Sequence, residues 1–183
     1  MRIVSGIYRG RTINPPKNFK ARPTTDFAKE ALFNILVNYF DFEEIEALDL
    51  FSGTGSMGYE FASRGAASVE MVEKSFVHSE FIRKTLQEIG ISNARIIKSD
   101  AFIYIERMSR PFDIVFADPP YEMENIKTIP DKVLESKLMK ENAWLILEHG
   151  SSVSFTEHPA CFDHRHYGSV HFSFFKRMKE SGN

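Results

Sequence analysis

The chain has 183 residues, of which 43% are hydrophobic and 26% charged, and its formal net charge is −2. This length suits one domain with a sizeable core, so we expect a single domain over residues 1–183. No apolar run reaches the roughly eighteen residues of a membrane-spanning helix, and the first residues lack the apolar stretch of a secretory signal. Cys161 is the only cysteine, which excludes an internal disulfide. These features predict a soluble, cytoplasmic protein.

Positive charge is concentrated at the N-terminus. Residues 1–22 contain six Lys and Arg side chains and no acid, so the rest of the chain carries a net charge of −8. Because phosphate contacts are local, such a basic end can bind a polyanion even on a near-neutral protein. A solvated terminal arm accounts for the charge equally well. The candidate residues for such phosphate contacts are Arg9, Arg11 and Arg22.

Residues 1–40 form a predicted N-terminal extension of a core that spans residues 41–183. Glycines at turn positions and helical spacing of apolar residues predict a β-hairpin, a proline-containing loop and an amphipathic helix over residues 2–13, 14–23 and 24–40. Thr24 or Thr25 is expected to cap the helix, since a threonine hydroxyl accepts from free N–H groups.

From residue 45 onward, apolar runs alternate with helical segments. The apolar runs predict strands over residues 45–51, 67–73, 94–99, 112–118 and 142–150. The segments between them predict helices over residues 57–64 and 75–89, from residue 100, and from residue 124 through 139. A final antiparallel hairpin is expected over residues 162–177, with its turn near Gly168. This alternation predicts an α/β fold with a doubly wound, mostly parallel, seven-stranded Rossmann-like sheet, in which ligands bind at the carboxyl ends of the strands.

A glycine-rich turn follows the first strand of the core. The candidate cofactor-binding residues in it are Asp49, Phe51, Gly53, Thr54 and Gly55. With Gly58, the glycines also match the G-x-G-x-x-G pattern of dinucleotide sites. A carboxylate at Asp49 would repel a pyrophosphate, but it suits the cationic amino group of a methionine. A turn in which the glycines serve packing alone is the structural alternative.

Two more acids end the next strands. Glu73 can accept hydrogen bonds from the two hydroxyl groups of a ribose. Asp100 can accept from an adenine amine, with Ala101 and Phe102 facing the ring. Each has a structural alternative, since Glu73 can be a solvated surface residue and Asp100 an ordinary helix N-cap.

The most informative motif is Asp118-Pro119-Pro120-Tyr121, at the end of the fourth strand. The two prolines fix the backbone and remove two N–H donors, so Asp118 and the Pro119 carbonyl form a pair of pure acceptors. Such a pair can hold the N–H groups of a base amine and direct its lone pair towards a methyl donor. The ring of Tyr121 offers a stacking face for a flipped base. These four residues are the candidate catalytic residues.

The order of these motifs resembles the class I methyltransferase fold of the amino-methylating kind. The N-terminal segments Arg9-Gly10-Arg11, Arg22 to Asp26, Lys29-Glu30 and Leu32 to Leu36 resemble the RsmD family, the bacterial 16S rRNA guanine-N2 methyltransferases. Tyr167-Gly168 and Phe174-Phe175 are similar to the last hairpin of that family. The resemblance covers nearly the whole chain.

The resemblance implies an RNA-binding extension, a catalytic core and transfer of a methyl group from S-adenosylmethionine to N2 of one guanine in 16S rRNA. It implies a substrate in the form of the assembled or assembling small ribosomal subunit. We expect no metal, because the six histidines are scattered along the chain, and we expect a monomer. Three alternatives stay open: a methyltransferase of DNA adenine or another RNA, an NAD-type oxidoreductase, and a non-catalytic ribosome-assembly factor. Whether Glu148 and His149 contact substrate is also open.

Overall fold

The computed structural model describes residues 1–17, 19 and 24–177, so the predicted RNA contact of Arg22 lies outside the described residues. The helices are α1 (Asp26–Leu36), α2 (Ser56–Ser63), α3 (Phe76–Ile89), α4 (Ala101–Arg107) and α5 (Ile129–Glu135), and a 3-10 turn spans Ile126–Thr128. The strands are β1 (Glu46–Leu50), β2 (Ser68–Glu73), β3 (Ala94–Lys98), β4 (Phe112–Ala117), β5 (Met139–His149), β6 (Cys161–Tyr167) and β7 (Val170–Phe175).

The seven strands form one sheet in the order β3-β2-β1-β4-β5-β7-β6. Strands β1 to β5 are parallel to one another, whereas β7 is antiparallel to β5 and β6 is antiparallel to β7. The predicted doubly wound sheet with a C-terminal antiparallel hairpin is therefore confirmed. From β1 the chain adds β2 and then β3 on one side, and it returns to place β4 on the other side of β1. At such a reversal of strand order a crevice opens at the carboxyl ends of the two central strands, here β1 and β4.

Two hydrophobic clusters cover the two faces of the sheet. Successive strand residues alternate between them: Ile114 and Phe116 belong to the cluster with α1, α2 and α3, whereas Val115 and Ala117 belong to the cluster with α4 and α5. This alternation follows from the period of two in a β-strand. Among the described residues, none of the helices combines the length and the apolarity needed to cross a bilayer.

The cap predicted for α1 forms at Thr25, one of the two threonines expected there. The side chain of Thr25 accepts from the backbone N–H of Ala28, at 3.2 Å, and caps α1. Ser75 caps α3, and Gly90 ends it in the left-handed conformation with φ +81°. Each cap depends on residues within one helical turn, which is why the sequence predicts it.

The predicted N-terminal hairpin is reduced to one antiparallel bridge between Arg2 and Thr12. The chain turns instead onto the end of α2, where a Cβ on Gly6 would lie 1.8 Å from the carbonyl oxygen of Ser63. The positive φ of Gly6, +81°, also favours glycine. Backbone hydrogen bonds still join the two arms, from Ile3 to Arg11 at 3.0 Å and from Ile13 to Met1 at 3.0 Å. The predicted pairing is therefore present in shortened form, with Gly6 packed on α2.

A buried carboxylate fastens this N-terminal segment to α2. The side chain of Glu60 is fully buried and accepts from the backbone N–H groups of Val4, at 2.8 Å, and Ser5, at 3.0 Å. Its charge is balanced by Arg64, at 2.8 Å, and by the buried Lys29, at 3.7 Å. Both N–H groups and both cations contact the same carboxylate. The N-terminal segment and α2 are therefore joined by one buried hydrogen-bond and ion-pair network centred on Glu60.

Two predicted boundaries differ from the structure. α1 ends at Leu36, and residues 37–39 form turns. The helix predicted through Met139 ends at Glu135, and Met139 already belongs to β5, where it pairs with Phe112 of β4. Pairing with a strand that is distant in the sequence decides the structure at Met139, and helical spacing alone cannot show it.

Candidate active site

A cleft of about 880 Å³ lies at the carboxyl ends of β1 and β4. All predicted catalytic residues and all predicted cofactor-binding residues line it, except Gly55. This volume lies within the range of roughly 300–1,000 Å³ that is usual for small-molecule and cofactor sites. Strand order thus brings together side chains that are up to 72 positions apart in the sequence, from Asp49 to Tyr121.

Gly55 has a structural role beneath the cleft. It adopts φ +83° at the start of α2, and a Cβ at this position would lie 2.7 Å from the ring of Tyr59. Both the backbone conformation and the packing therefore require glycine. Gly55 therefore fits the structural alternative, in which a glycine of the turn serves packing. Gly53, with φ +55°, lines the cleft itself.

Asp49 is almost completely buried at the end of β1, with 1% of its surface exposed. Its Oδ2 accepts from the backbone N–H of Gly58 at 3.1 Å. Burial raises the pKa of the Asp49 carboxyl to about 8, although hydrogen bonds from Gly58 and Ser52 act in the opposite direction. A cation that binds beside this carboxyl would favour its ionised form.

Glu73 ends β2 and shapes the loop that follows β1. Its two carboxylate oxygens accept from the backbone N–H groups of Gly53, at 2.9 Å, and Ser75, at 2.7 Å. A carboxylate has about four acceptor positions, so capacity for further donors remains. Glu73 is therefore not merely a solvated surface residue, because it links the glycine-rich loop to the start of α3.

Asp100 caps α4 through the N–H groups of Phe102, at 2.9 Å, and Ile103, at 3.4 Å. The N-cap alternative is therefore confirmed, and a role towards adenine stays a prediction. A hydrogen bond from Lys74 at 3.0 Å is the main reason that the pKa of Asp100 lies below its usual range. Phe102 meets Phe51 edge to face, with ring centroids 6.1 Å apart, and the two rings form an apolar wall of the cleft.

Asp118 follows β4 and lines the cleft close to other acids. Its pKa lies well above its usual range, because of burial first and then because of the carboxylates of Glu148 and Asp49. The backbone N–H of Asp118 donates to the carbonyl of Leu50, at 3.4 Å, which links the ends of β4 and β1. The side chain can therefore accept the protons of an amine that enters the cleft, and such donors would stabilise its ionised form.

Tyr121 is held by contacts that sequence reasoning left open. Its hydroxyl donates to Oε1 of Glu148 at 3.0 Å, and the hydroxyl of Thr24 donates to Oε2 at 2.6 Å. The ring lies on Gly150, where a Cβ would be 2.9 Å from Cδ2 of Tyr121. An acid at the end of a buried strand is the sequence signal for Glu148, but its partners are 27 and 124 residues away.

His149, the other residue left open, is fully buried and belongs to the support of the C-terminal hairpin. Its Nδ1 lies 2.9 Å from the carbonyl oxygen of Gly150, and its Nε2 lies 2.9 Å from the hydroxyl of Ser173 in β7. Within the part of the chain that the structure describes, no group of three or more His, Cys, Asp or Glu side chains could hold a metal ion.

The predicted RNA contacts Arg9 and Arg11 are exposed, but the turn that carries Arg9 lies away from the cleft. That turn packs on the C-terminal end of α2, where the N–H of Ile7 donates to the carbonyl of Ser63 at 2.8 Å. The N-terminal end of α2 lines the cleft, and eight helical residues span about 12 Å. The structure therefore does not bring Arg9 to the catalytic residues, and its role stays a prediction.

Comparisons with known proteins agree on the family. The family model described as "Conserved hypothetical protein 95", the RsmD family, matches residues 1–176. The chain is 33% identical over 145 residues to "Ribosomal RNA small subunit methyltransferase D" of Escherichia coli K12, covering 79% of this chain and 69% of that protein. It is 33% identical over 152 residues to the protein of the same name in Haemophilus influenzae, covering 81% and 78%.

Solved structures share the fold. A hypothetical protein of Thermus thermophilus is similar with a TM-score of 0.85 and 25% identity, over 97% of this chain and 99% of that one. A coclaurine N-methyltransferase bound to S-adenosylhomocysteine has a TM-score of 0.54 and 20% identity, over 69% of this chain and 36% of that one. The second likeness concerns the fold alone.

Proposed function

The chain belongs to the RsmD family of methyltransferases, and from this premise we propose that it methylates the exocyclic N2 amine of one guanine in 16S rRNA with S-adenosylmethionine. One observation carries the proposal: the acceptor pair of Asp118 and Pro119 lies in the same cleft as the glycine-rich loop after β1. A pair without N–H donors suits a substrate amine, which brings two hydrogens of its own.

The acids of the cleft fit the proposed cofactor. Asp49 is a buried acceptor for the cationic amino group, Glu73 has acceptor capacity for the ribose hydroxyls, and Asp100 lies where an adenine amine can donate. The apolar wall of Phe51 and Phe102 suits the adenine ring. When bound, S-adenosylmethionine supplies an electrophilic methyl group on a positively charged sulfur.

The residues of the chain contribute positioning and electrostatics. The lone pair of a guanine N2 is delocalised into the ring, so the free amine is a poor nucleophile. Asp118 and the Pro119 carbonyl accept hydrogen bonds from its two N–H groups and thereby orient the lone pair, while Tyr121 stacks on the flipped base. Holding the reacting atoms roughly 3–3.5 Å apart supplies most of the rate enhancement.

The proposed substrate is 16S rRNA within the assembled or assembling small subunit, and the enzyme acts as a monomer in the cytoplasm, where these subunits are. The exposed Arg9, at a distance from the cleft, suits a substrate with an extended phosphate surface. The relatives named as small-subunit rRNA methyltransferases support this substrate over DNA adenine or another RNA. The acceptor pair favours an enzyme over an assembly factor, and it would have no purpose in an NAD-type oxidoreductase.

A methyl-transfer assay tests the proposal. Small subunits from a strain that lacks this chain are incubated with tritiated S-adenosylmethionine, and the modified nucleoside is identified by mass spectrometry. We expect N2-methylguanosine in 16S rRNA and none with Asp118→Ala, while duplex DNA accepts no label. A methyl group on a ring carbon or a ribose oxygen would contradict the mechanism, because such targets have no pair of N–H hydrogens.

Charge reversal tests the RNA contacts separately. The double variant Arg9→Glu, Arg11→Glu should bind subunits more weakly, with a salt dependence shallower by about 0.7–0.9 per lost phosphate contact, and should bind cofactor normally. The matched control reverses Arg83 and Lys84 on α3, whose side chains are 45% and 75% exposed. If both variants behave alike, Arg9 and Arg11 make no specific contact with RNA.

A further inference from the structure

The carboxylate of Glu148 joins two parts of the molecule that are far apart in the sequence. It is 2% exposed at the end of β5 and accepts the hydroxyls of Tyr121, at 3.0 Å, and Thr24, at 2.6 Å. Thr24 is itself buried and directly precedes Thr25, the N-cap of α1. A single side chain therefore contacts both the start of the N-terminal helix and the Asp-Pro-Pro-Tyr motif.

Glu148 places a charged side chain at the end of a buried strand. Removing a charged group from water disfavours it, and here the carboxylates of Asp118 and Asp49 line the same cleft. A buried carboxylate needs hydrogen-bond donors, and two of its donors are the hydroxyls of Tyr121 and Thr24.

Contacts at two places on the Tyr121 ring restrain it. One side of the ring, at Cδ2, lies against Gly150, where the ring already occupies the space for a Cβ. The hydroxyl, at the far end of the ring, is tied to Glu148. A ring held at Cδ2 and at its hydroxyl cannot swing or rotate freely, so the orientation of its stacking surface is restrained.

We propose that Glu148 is a positioning residue, which sets the stacking face of Tyr121 and couples that face to the seating of α1 through Thr24. This inference rests on the proposed function, in which Tyr121 stacks on the target base. The packing of α1 on the core and the orientation of the Tyr121 ring are then coupled, because both depend on the carboxylate of Glu148.

Steady-state kinetics on small subunits test the coupling. Glu148→Gln and Glu148→Ala should raise the KM for subunits by about 5- to 50-fold and leave cofactor affinity within about twofold. Tyr121→Phe keeps the stacking ring but removes the tether, so we expect a smaller rise in KM, of about 3- to 10-fold. Combining Tyr121→Phe with Glu148→Gln should add little to the larger single effect, since both remove the same contact. Thr24→Val should act in the same direction, and Thr24→Ser, which keeps the hydroxyl, should restore the wild-type KM.

The chain offers a matched control for the cost of altering a buried acid. Glu70 is 1% exposed and accepts the hydroxyl of Tyr104, but neither residue lines the cleft. Glu70→Gln should lower the free energy of unfolding without changing the KM. If Glu148→Gln resembles Glu70→Gln, Glu148 is structural only, and if its effect multiplies fully with that of Tyr121→Phe, it acts elsewhere than through Tyr121. Either result overturns the inference.

A spectroscopic readout needs no substrate and therefore separates this inference from the proposed function. In protein labelled with 3-fluorotyrosine, the ¹⁹F signal of Tyr121 is assigned by its loss in Tyr121→Phe. We expect one sharp signal in the wild type, which broadens or shifts in Glu148→Gln and Thr24→Val and stays unchanged in Glu70→Gln. An unchanged signal in Glu148→Gln would overturn the positioning role even if the enzyme methylates subunits. If the wild type methylates no subunits but the signal responds as expected, the proposed function fails and the tether stands.

Discussion

The acids at the two ends of the parallel strands, called here the amino edge and the carboxyl edge of the sheet, differ in whether cations compensate them. At the amino edge, where the parallel strands begin, acids and bases are paired. Arg110 contacts Glu46 at 2.6 Å, and Lys140 bridges Glu46, at 2.9 Å, and Asp113, at 2.8 Å. Hydrogen bonds from Arg110 and then Lys140 hold the pKa of Glu46 at about 2. These pairs join the beginnings of β1, β4 and β5.

At the carboxyl edge the same strands β1 and β4 end in acids whose surroundings are acidic. The pKa of Asp49 and that of Asp118 are raised by burial and by neighbouring carboxylates. Among the described residues, no Lys or Arg side chain forms an ion pair with either. These two acids cost stability, and a ligand that brings a cation or N–H donors would offset that cost.

The comparison indicates which acids serve the fold and which are available to ligands. An acid paired with cations has its acceptor capacity used, and its loss should affect stability. An acid with a raised pKa in a cleft retains acceptor capacity, and its loss should affect binding or turnover. Variants at the two edges should therefore separate these two consequences.

The largest effect is expected at Asp118. Asp118→Ala should abolish methyl transfer and spare cofactor affinity, because it removes an acceptor of the substrate amine alone. Asp118→Asn keeps one acceptor oxygen, so turnover should fall strongly without vanishing. The folded-state pKa of Asp118 is raised, so its contribution to stability is present below the pKa of the unfolded chain and is lost as the pH rises towards the folded-state value. Asp118→Asn does not titrate and should therefore be more stable at pH 7. A thermal unfolding curve and a methyl-transfer assay measure the two effects, and a less stable Asp118→Asn would contradict the comparison.

A moderate effect is expected at Glu73. Glu73→Ala removes an acceptor for the ribose hydroxyls and also frees the N–H groups of Gly53 and Ser75. Cofactor affinity should fall by about 1.5–3 kcal/mol, the usual scale for hydrogen bonds to a charged group. Isothermal calorimetry measures the change. Glu73→Gln, which retains one acceptor oxygen, should lose less, and equal losses in both variants would argue against direct ribose contacts.

A smaller effect with a distinct signature is expected at Asp49. Its pKa of about 8 means that it is largely protonated at pH 7 in the free protein, so binding a cationic amine should release a proton. Calorimetry in two buffers with different ionisation enthalpies should detect this proton, and Asp49→Asn should abolish most of the release. The contribution of Asp49 to stability is present at low pH and is lost as the pH rises towards 8, so unfolding curves of Asp49→Asn should show a flatter pH dependence.

The smallest effect is expected at Glu46, on the paired edge. Because its folded-state pKa is lowered to about 2, its contribution to stability is present above the ordinary value of 4.5 and is lost as the pH falls towards 2. Solvent screens these partly exposed pairs, so Glu46→Gln should cost roughly 1 kcal/mol or less at pH 7. Chemical denaturation between pH 2 and 7 should show a shallower loss in acid. Any change in cofactor affinity would break the separation between the two edges.

Most of the fold could be predicted because its signals are local. Alternation along β4 and the caps at Thr25, Ser75 and Asp100 depend on residues within a few positions of each other. The candidate cleft followed from one further rule, that parallel strands end at a common edge. The start of β5 at Met139 was missed, because only pairing with Phe112 makes that residue a strand.

The sequence by itself determined the α/β order, the caps and the set of polar residues at strand ends, since these depend on short-range periodicity and on the chemistry of each side chain. Only the tertiary structure decided how those residues are used. It made Gly55 a support for Tyr59, placed the turn of Arg9 at the far end of α2, and brought Thr24 to Glu148 across 124 residues. The physical reason is the same in each case: burial and hydrogen bonding between distant segments arise only when the chain is packed, and no local pattern encodes them.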